Sequence, residues 1–227
     1  MSVEDMTNKR TLQKIMLSII NDQFDDVAQN ENVWEGFADR NILEEFFARN
    51  RRNGRALDIG CGSGDSLYHL DIGYALEPHP DRFVRTKDKF KNDDRVEIKQ
   101  GWAENIPWPD EHFDTVMSWG TMMFVRSMME ALIEVNRVLT HGGIFVFDVV
   151  TYTTMPIAQT VDRCCFPKYV EILGFRNVEV RPFGDRHYKR IAVATQKVAI
   201  FDPRSLQLPQ ISGDIRNFWE ARDWYLR

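Results

Sequence analysis

The sequence predicts an α/β protein built on an open, mostly parallel sheet, and three observations carry that prediction. From Ala56 onward, short apolar runs alternate with amphipathic helical patterns, as in strand–helix–strand units with right-handed crossovers. A glycine-rich turn at 60–64 follows the first of those runs and opens a helix. Residues 143–150 form a nearly continuous apolar run, as expected of a strand covered on both faces.

Each element has its own local reason. Residues 11–28 place Leu12, Ile15, Met16, Ile19 and Ile20 at helical spacing, which predicts an amphipathic helix. A second helix is expected over 33–48, with Trp34, Phe37, Ile42, Leu43, Phe46 and Phe47, and the polar cluster 49–55 reads as an entry loop. Strands are then expected at 56–59, 73–76, 95–99, 113–119 and 143–150. Helices are expected from 65, over 81–90 and over 128–139, the last with Leu132, Ile133, Val135 and Leu139 facing inward. A helix over 155–173 and strands at 175–180 and 188–194 complete the alternation. This divides the chain into a helical lid (1–50), an α/β body (51–197) and a tail (198–227). The aromatic residues Phe218, Trp219, Trp224 and Tyr225 suit the tail to dock on the body or on another subunit.

Composition bounds the function. At 227 residues and 43% hydrophobic, the chain suits one α/β domain with appendages, or at most two small domains. It has no run of about 18 apolar residues, so no membrane span is expected, and residues 1–10 lack a secretory apolar core. Cys61, Cys164 and Cys165 form no disulfide framework, which suits a reducing cytoplasm. A net charge of -5 disfavours a polyanionic partner such as nucleic acid. The basic residues Arg82, Arg85, Lys87, Lys89 and Lys91 are interrupted by Asp88 and read as a solvated helix face. The five histidines lack ligand spacing, so no metal is expected. A monomer or homodimer acting on a small molecule is the default expectation.

Ligands of parallel sheets bind beyond the carboxyl ends of the strands, and three motifs lie there. In the run from Ala56 to Gly64, the glycines Gly60, Gly62 and Gly64 let the backbone turn sharply and approach a ligand. Opening a helix, they also present N–H groups. A ligand-free tight turn would use the same residues, but Asp58, two residues before Gly60, can hold an ammonium group. Glu77, followed by Pro78 at the end of the second strand, can accept hydrogen bonds from a ribose diol. After the third strand, Gly101 and Ala103 keep the backbone accessible, so the Ala103 N–H can meet an adenine ring. Trp102 can flank that ring or anchor its loop. The fourth strand ends at Ser118, Trp119 and Gly120, beside where a reactive carbon would lie.

With Phe113–Asp114 and the stretch from Val135 to Gly143, these motifs resemble class I S-adenosylmethionine-dependent methyltransferases. The likeness is greatest to the small-molecule, type 11 branch that includes the ubiquinone and menaquinone biosynthesis enzymes, and it covers residues 55–197. It implies a Rossmann-like, seven-stranded sheet, mostly parallel with the last strand antiparallel, and helices on both faces. The resemblance also implies S-adenosylmethionine as cofactor, S-adenosylhomocysteine as product, and a cofactor site comprising Asp58, Gly60, Cys61, Gly62, Gly64, Glu77, Pro78, Trp102, Ala103 and Ser118. Within it, Asp58 and the glycines hold the methionine part, Glu77 the ribose, and Trp102 and Ala103 the adenine. Two positions depart from the family: Trp102 stands where an aspartate is common, and His141 where proline often precedes the paired glycines.

Other readings fit less well. A nicotinamide dehydrogenase spaces its glycines G-x-G-x-x-G, unlike the spacing here. The tetrad of DNA amino-methyltransferases is replaced by Ser118–Trp–Gly–Thr121. A cofactor-binding but non-catalytic subunit remains the alternative from another class. Methyl transfer from a sulfonium needs alignment and water exclusion more than a catalytic triad, so no catalytic base is assigned. The acceptor-site candidates are Trp34, Trp119, Met123 and Tyr152, with Phe37, Met122, Phe124 and Thr153 around them. Their character suggests a largely apolar acceptor, although each can equally serve as core packing.

Overall fold

The computed structural model describes residues 40–122, 125, 127–150, 170–171, 173–184 and 189–201. Its elements are α1 (Arg40–Asn50), β1 (Ala56–Ile59), α2 (Asp65–His69), β2 (Tyr74–Glu77), α3 (Pro80–Lys89) and β3 (Glu97–Gln100). They continue with β4 (Phe113–Ser118), α4 (Met128–Val138), β5 (Leu139–Val150), β6 (Phe175–Gly184) and β7 (Lys189–Lys197). The strands form one seven-stranded sheet in the order β3-β2-β1-β4-β5-β7-β6. Neighbours from β3 to β5 pair in parallel, whereas β7 is antiparallel to both β5 and β6. The expected Rossmann-like sheet with an antiparallel last strand is therefore present.

Strand alternation sorts the core into two layers. On β5, Phe145 and Phe147 join the cluster on the α4 side, with Leu57, Ile59, Val116, Ala131, Leu132 and Val135. Ile144 and Val146 face the other way and pack with Leu43, Phe46 and Phe47 of α1. All four residues of β1 are buried. A strand sealed on both faces has no polar positions to spare, so its run reads as continuous and not alternating. Edge strand β3, with Glu97 and Gln100 exposed, shows the contrast.

Helix ends are set locally. Ser127 accepts the Glu130 N–H at the start of α4, and the sequence S-x-x-E there is that of a capping box. Helix α3 begins with His79 as cap and Pro80 in its first turn, and ends with Lys87 and Lys89, charges that suit the helix dipole. Just past the other end of α4, the buried ammonium of Lys197 donates to the Leu139 carbonyl at 2.6 Å.

Some boundaries differ from the sequence expectation. The fifth strand begins at Leu139 and not at residue 143, because Leu139 already pairs with Phe113 before a register irregularity. The described part of the second expected helix ends at Asn50, and its Leu43, Phe46 and Phe47 are wholly buried in the body. The expected helix at 11–28, the start of the second helix, most of that at 155–173 and the aromatic tail lie outside the described residues. Among the described residues no helix is long and apolar enough to cross a membrane.

Candidate functional site

The site forms where β1, β2 and β4 end side by side. Glycine turn 60–64 leaves β1 with Gly60 at φ 77°, Gly62 at 56° and Gly64 at 76°, left-handed conformations that favour glycine. The Gly60 and Cys61 N–H groups donate to the Leu76 carbonyl, so the turn is pinned against β2. A side chain at Gly60 would collide with Thr121, whereas a Cβ at Gly62 would meet no protein atom within 4 Å. The turn therefore opens onto unfilled space at its middle residue, where a ligand can lie against bare backbone.

Two buried carboxylates flank this opening. Asp58, 3% exposed, accepts a hydrogen bond from the Ser66 hydroxyl on α2. Burial pushes its carboxyl up to about 7, with the Ser66 bond opposing and the charge of Glu77 adding to the rise. Glu77, also 3% exposed, accepts the Gly62 N–H at 2.8 Å and the His79 N–H at 2.9 Å. Burial raises its carboxyl too, against those two N–H bonds and the nearby positive charge of Arg82. Cys61 points into the core. Burial, then the two acids, hold its thiol well above the ordinary range, which keeps it protonated and unreactive.

The loop after β3 is built as one wall. Ala103 is buried and Trp102 half-buried. Among the described residues the Ala103 N–H makes no hydrogen bond, leaving it available to a ligand. Arg137 of α4 ties this loop down, donating to the carbonyls of Ile106 and Trp108 at 2.8 Å each while pairing with Glu134 and Asp110. Glu134 accepts the Ile106 N–H, and Glu104 accepts the Ser127 N–H.

The exit of β4 is held from both sides. Ser118 is wholly buried and donates to the Ile59 carbonyl, so its hydroxyl joins β4 to β1. It is Thr121, three residues on, that reaches the glycine turn, donating to the Gly60 carbonyl at 3.3 Å. Buried Asp148 of β5 accepts the Gly120 N–H at 2.6 Å. Trp119 is half-buried against the α1 side of the core, and Met122 is buried in the other core layer. His141 is exposed near the start of β5, as a surface residue would be.

The structure thus brings Asp58, Gly60, Cys61, Gly62, Gly64 and Glu77 together around one turn, with Pro78 beside it and Trp102 and Ala103 on the next strand's exit. Trp34, Phe37, Met123, Phe124, Tyr152 and Thr153 lie outside the described residues. Sequence reasoning missed Ser66, Thr86, Thr121, Arg137 and Asp148, whose partners are distant in the chain. Only Ser66 carried a local signal, as a hydroxyl at the start of the helix that the turn opens, close in sequence to Asp58. A surface groove of about 710 Å³ lies elsewhere, between α1 and β6. Its charges pair with each other, Arg49 with Glu179 at 3.2 Å and Arg181 with Glu45 at 3.5 Å, so it offers no comparable chemistry.

Known proteins resemble the chain over the region that contains this site. Residues 57–147 match the family described as methyltransferase domain. The matched segment, less than half of the chain, is similar to methyltransferase domains. It contains the glycine turn, both buried acids and the exit of β4. The demethylmenaquinone methyltransferase of Staphylococcus haemolyticus is 28% identical over 129 residues, 53% of either chain. That of Staphylococcus aureus is 29% identical over 131 residues, 55% of this chain and 54% of the relative. The chain thus matches about half the length of these relatives. Among solved structures, an S-adenosylmethionine-dependent methyltransferase of Thermotoga maritima superposes with a TM-score of 0.60 at 19% identity, covering 81% of this chain and all of that one. The geranyl diphosphate C-methyltransferase of Streptomyces coelicolor gives 0.59 at 12% identity, covering 74% and 82%. These last two likenesses concern the fold.

Proposed function

We propose that the chain binds S-adenosylmethionine at the glycine turn and transfers its methyl group to a small, largely apolar acceptor. One observation carries this reading: the open face of Gly62 lies between two buried carboxylates on adjacent strand ends, Asp58 and Glu77. When bound, the cofactor supplies an electrophilic methyl group on a positively charged sulfonium. Asp58 holds the ammonium of the methionine part, directly or through water, and Ser66 orients its carboxylate. Glu77 accepts from the ribose diol with the lone pairs that its two backbone bonds leave over. The Ala103 N–H meets the adenine, and Trp102 flanks it in place of the aspartate common at that position. Pro78 completes the ribose edge, and the backbone of Gly60, Cys61 and Gly64 forms the rest of the cradle.

Beyond the cradle, the exit of β4 forms the floor on which acceptor and methyl align, with Trp119 as its described apolar wall. Holding the reactants in line and excluding water supplies much of the acceleration. Trp34, Met123 and Tyr152 are proposed to complete the acceptor side. The apolar character of these residues and the demethylmenaquinone methyltransferases among the relatives both favour an acceptor with a hydrophobic ring or tail. Calorimetric titration with S-adenosylhomocysteine, followed by transfer of labelled methyl across a panel of quinols and other apolar acceptors, tests the proposal. Saturable binding with label in an apolar product is expected. A chain that ignores the nucleotide would refute the reading.

A further inference from the structure

The glycine turn is gripped from a second side by an element that carries none of its motifs. Thr86, 1% exposed on α3, donates its hydroxyl to the Gly62 carbonyl at 2.6 Å. One helical turn later Lys89 donates to the Ser63 carbonyl at 3.2 Å and to Asp65 at 2.7 Å. The two residues lie on one face of α3, as an i, i+3 spacing dictates. Gly62 is therefore held at both polar groups, its N–H by Glu77 and its carbonyl by Thr86.

This has a geometric consequence. The Gly62–Ser63 peptide is planar and trans, so turning its carbonyl toward α3 turns the Ser63 N–H the opposite way. Among the described residues that N–H makes no hydrogen bond. We propose that Thr86 is a positioning residue for the cofactor: its hydroxyl fixes the Gly62–Ser63 peptide so that the Ser63 N–H stands ready as a donor to the bound nucleotide. A peptide held in advance loses no orientational freedom on binding, and that preorganisation is gained as affinity. The inference rests on the cofactor reading above.

The methyl group of Thr86 has a separate task, because its Cγ2 lies 2.7 Å from where a Cβ on Gly64 would stand. Two substitutions separate the roles. Thr86→Val keeps the shape and removes the donor, whereas Thr86→Ser keeps the donor and removes the methyl. With S-adenosylhomocysteine as the calorimetric probe, Thr86→Val is expected to raise Kd about tenfold, and Thr86→Ser to stay within about twofold of the parent. Should Thr86→Val not fold, Thr86→Cys takes its place, since a thiol is a weak donor of similar shape. Parent-like affinity in the hydroxyl-less variant, or equal weakening in Thr86→Ser, overturns the proposal while leaving the cofactor reading intact. A parent chain that gives no heat with the probe overturns both.

Discussion

The carboxylate of Glu77 accepts the N–H of Gly62 at 2.8 Å, so the acid expected to meet the ligand also shapes the turn expected to cradle it. Its other oxygen takes the His79 N–H at the head of α3. The two functions make Glu77 sensitive in two measurements. Glu77→Ala leaves two backbone donors without their acceptor and should lower unfolding stability by on the order of 1–3 kcal/mol. It should also weaken S-adenosylhomocysteine binding by a similar amount. Denaturant melts and calorimetry on one preparation check both, and loss of stability with full affinity would remove Glu77 from the ribose site.

Glycine substitutions separate space from conformation. At Gly60 an added Cβ would lie 2.3 Å from the Thr121 side chain, so Gly60→Ala should destabilise the fold by about 2 kcal/mol or more. At Gly62 it meets only open space, and Gly62→Ala should cost about 1–2 kcal/mol for its left-handed backbone alone. Gly62→Val should fold yet lose nucleotide binding, because its branches occupy the ligand's place. Thermal melts rank the first two, and a Gly62→Val protein that binds normally would show that the turn is not the cradle.

The raised carboxyl of Asp58 makes stability and binding run oppositely with pH. Its folded value, about 7, lies above the ordinary 3.8, so between these values the folded chain holds more protons than the unfolded one. Stability therefore falls as pH rises through that window, by about 4 kcal/mol in total for this group. Glu77 shifts in the same direction. Binding of an ammonium needs Asp58 ionised, so nucleotide affinity should climb from pH 5.5 toward about 8, by up to tenfold per unit below the Asp58 value. Since the Ser66 bond lowers that value, Ser66→Ala should move the affinity profile to higher pH. A pH-independent affinity would separate Asp58 from the ligand's charge.

Arg137 touches no expected ligand atom, yet it donates to the Ile106 and Trp108 carbonyls. Arg137→Ala should lower stability by on the order of 1–3 kcal/mol. It should also release the wall that carries Trp102 and Ala103. Faster amide exchange in that loop, together with weaker binding of S-adenosylhomocysteine, is the expected pair of results. Faster exchange with unchanged affinity would show that the loop does not contact the nucleotide.

Much of this arrangement was legible in the chain because its signals are local. The strand–turn–helix around Gly60–Gly64 and the acid ending β2 each declare themselves within a few residues. So does the apolar run of β5, since a strand sealed on both faces admits no alternation. The start of β5 was less legible: Gly142 and Gly143 suggest a turn, yet Leu139 already pairs with Phe113 ahead of a register shift. Ser118 illustrates another limit, since its place beside the site was evident from the sequence, but the direction of its hydroxyl, toward the Ile59 carbonyl, was not.

By itself, then, the amino-acid order determined the fold class, the glycine bend and the identity of the two acids, because backbone conformation and strand burial depend on near neighbours. Tertiary structure alone decided what holds that bend. Thr86, Thr121 and Asp148 are ordinary residues in their own segments, and only the crossovers bring their oxygens to Gly62, Gly60 and Gly120. A hydrogen bond between residues distant in sequence leaves no periodic trace, because its geometry exists only once the sheet has assembled.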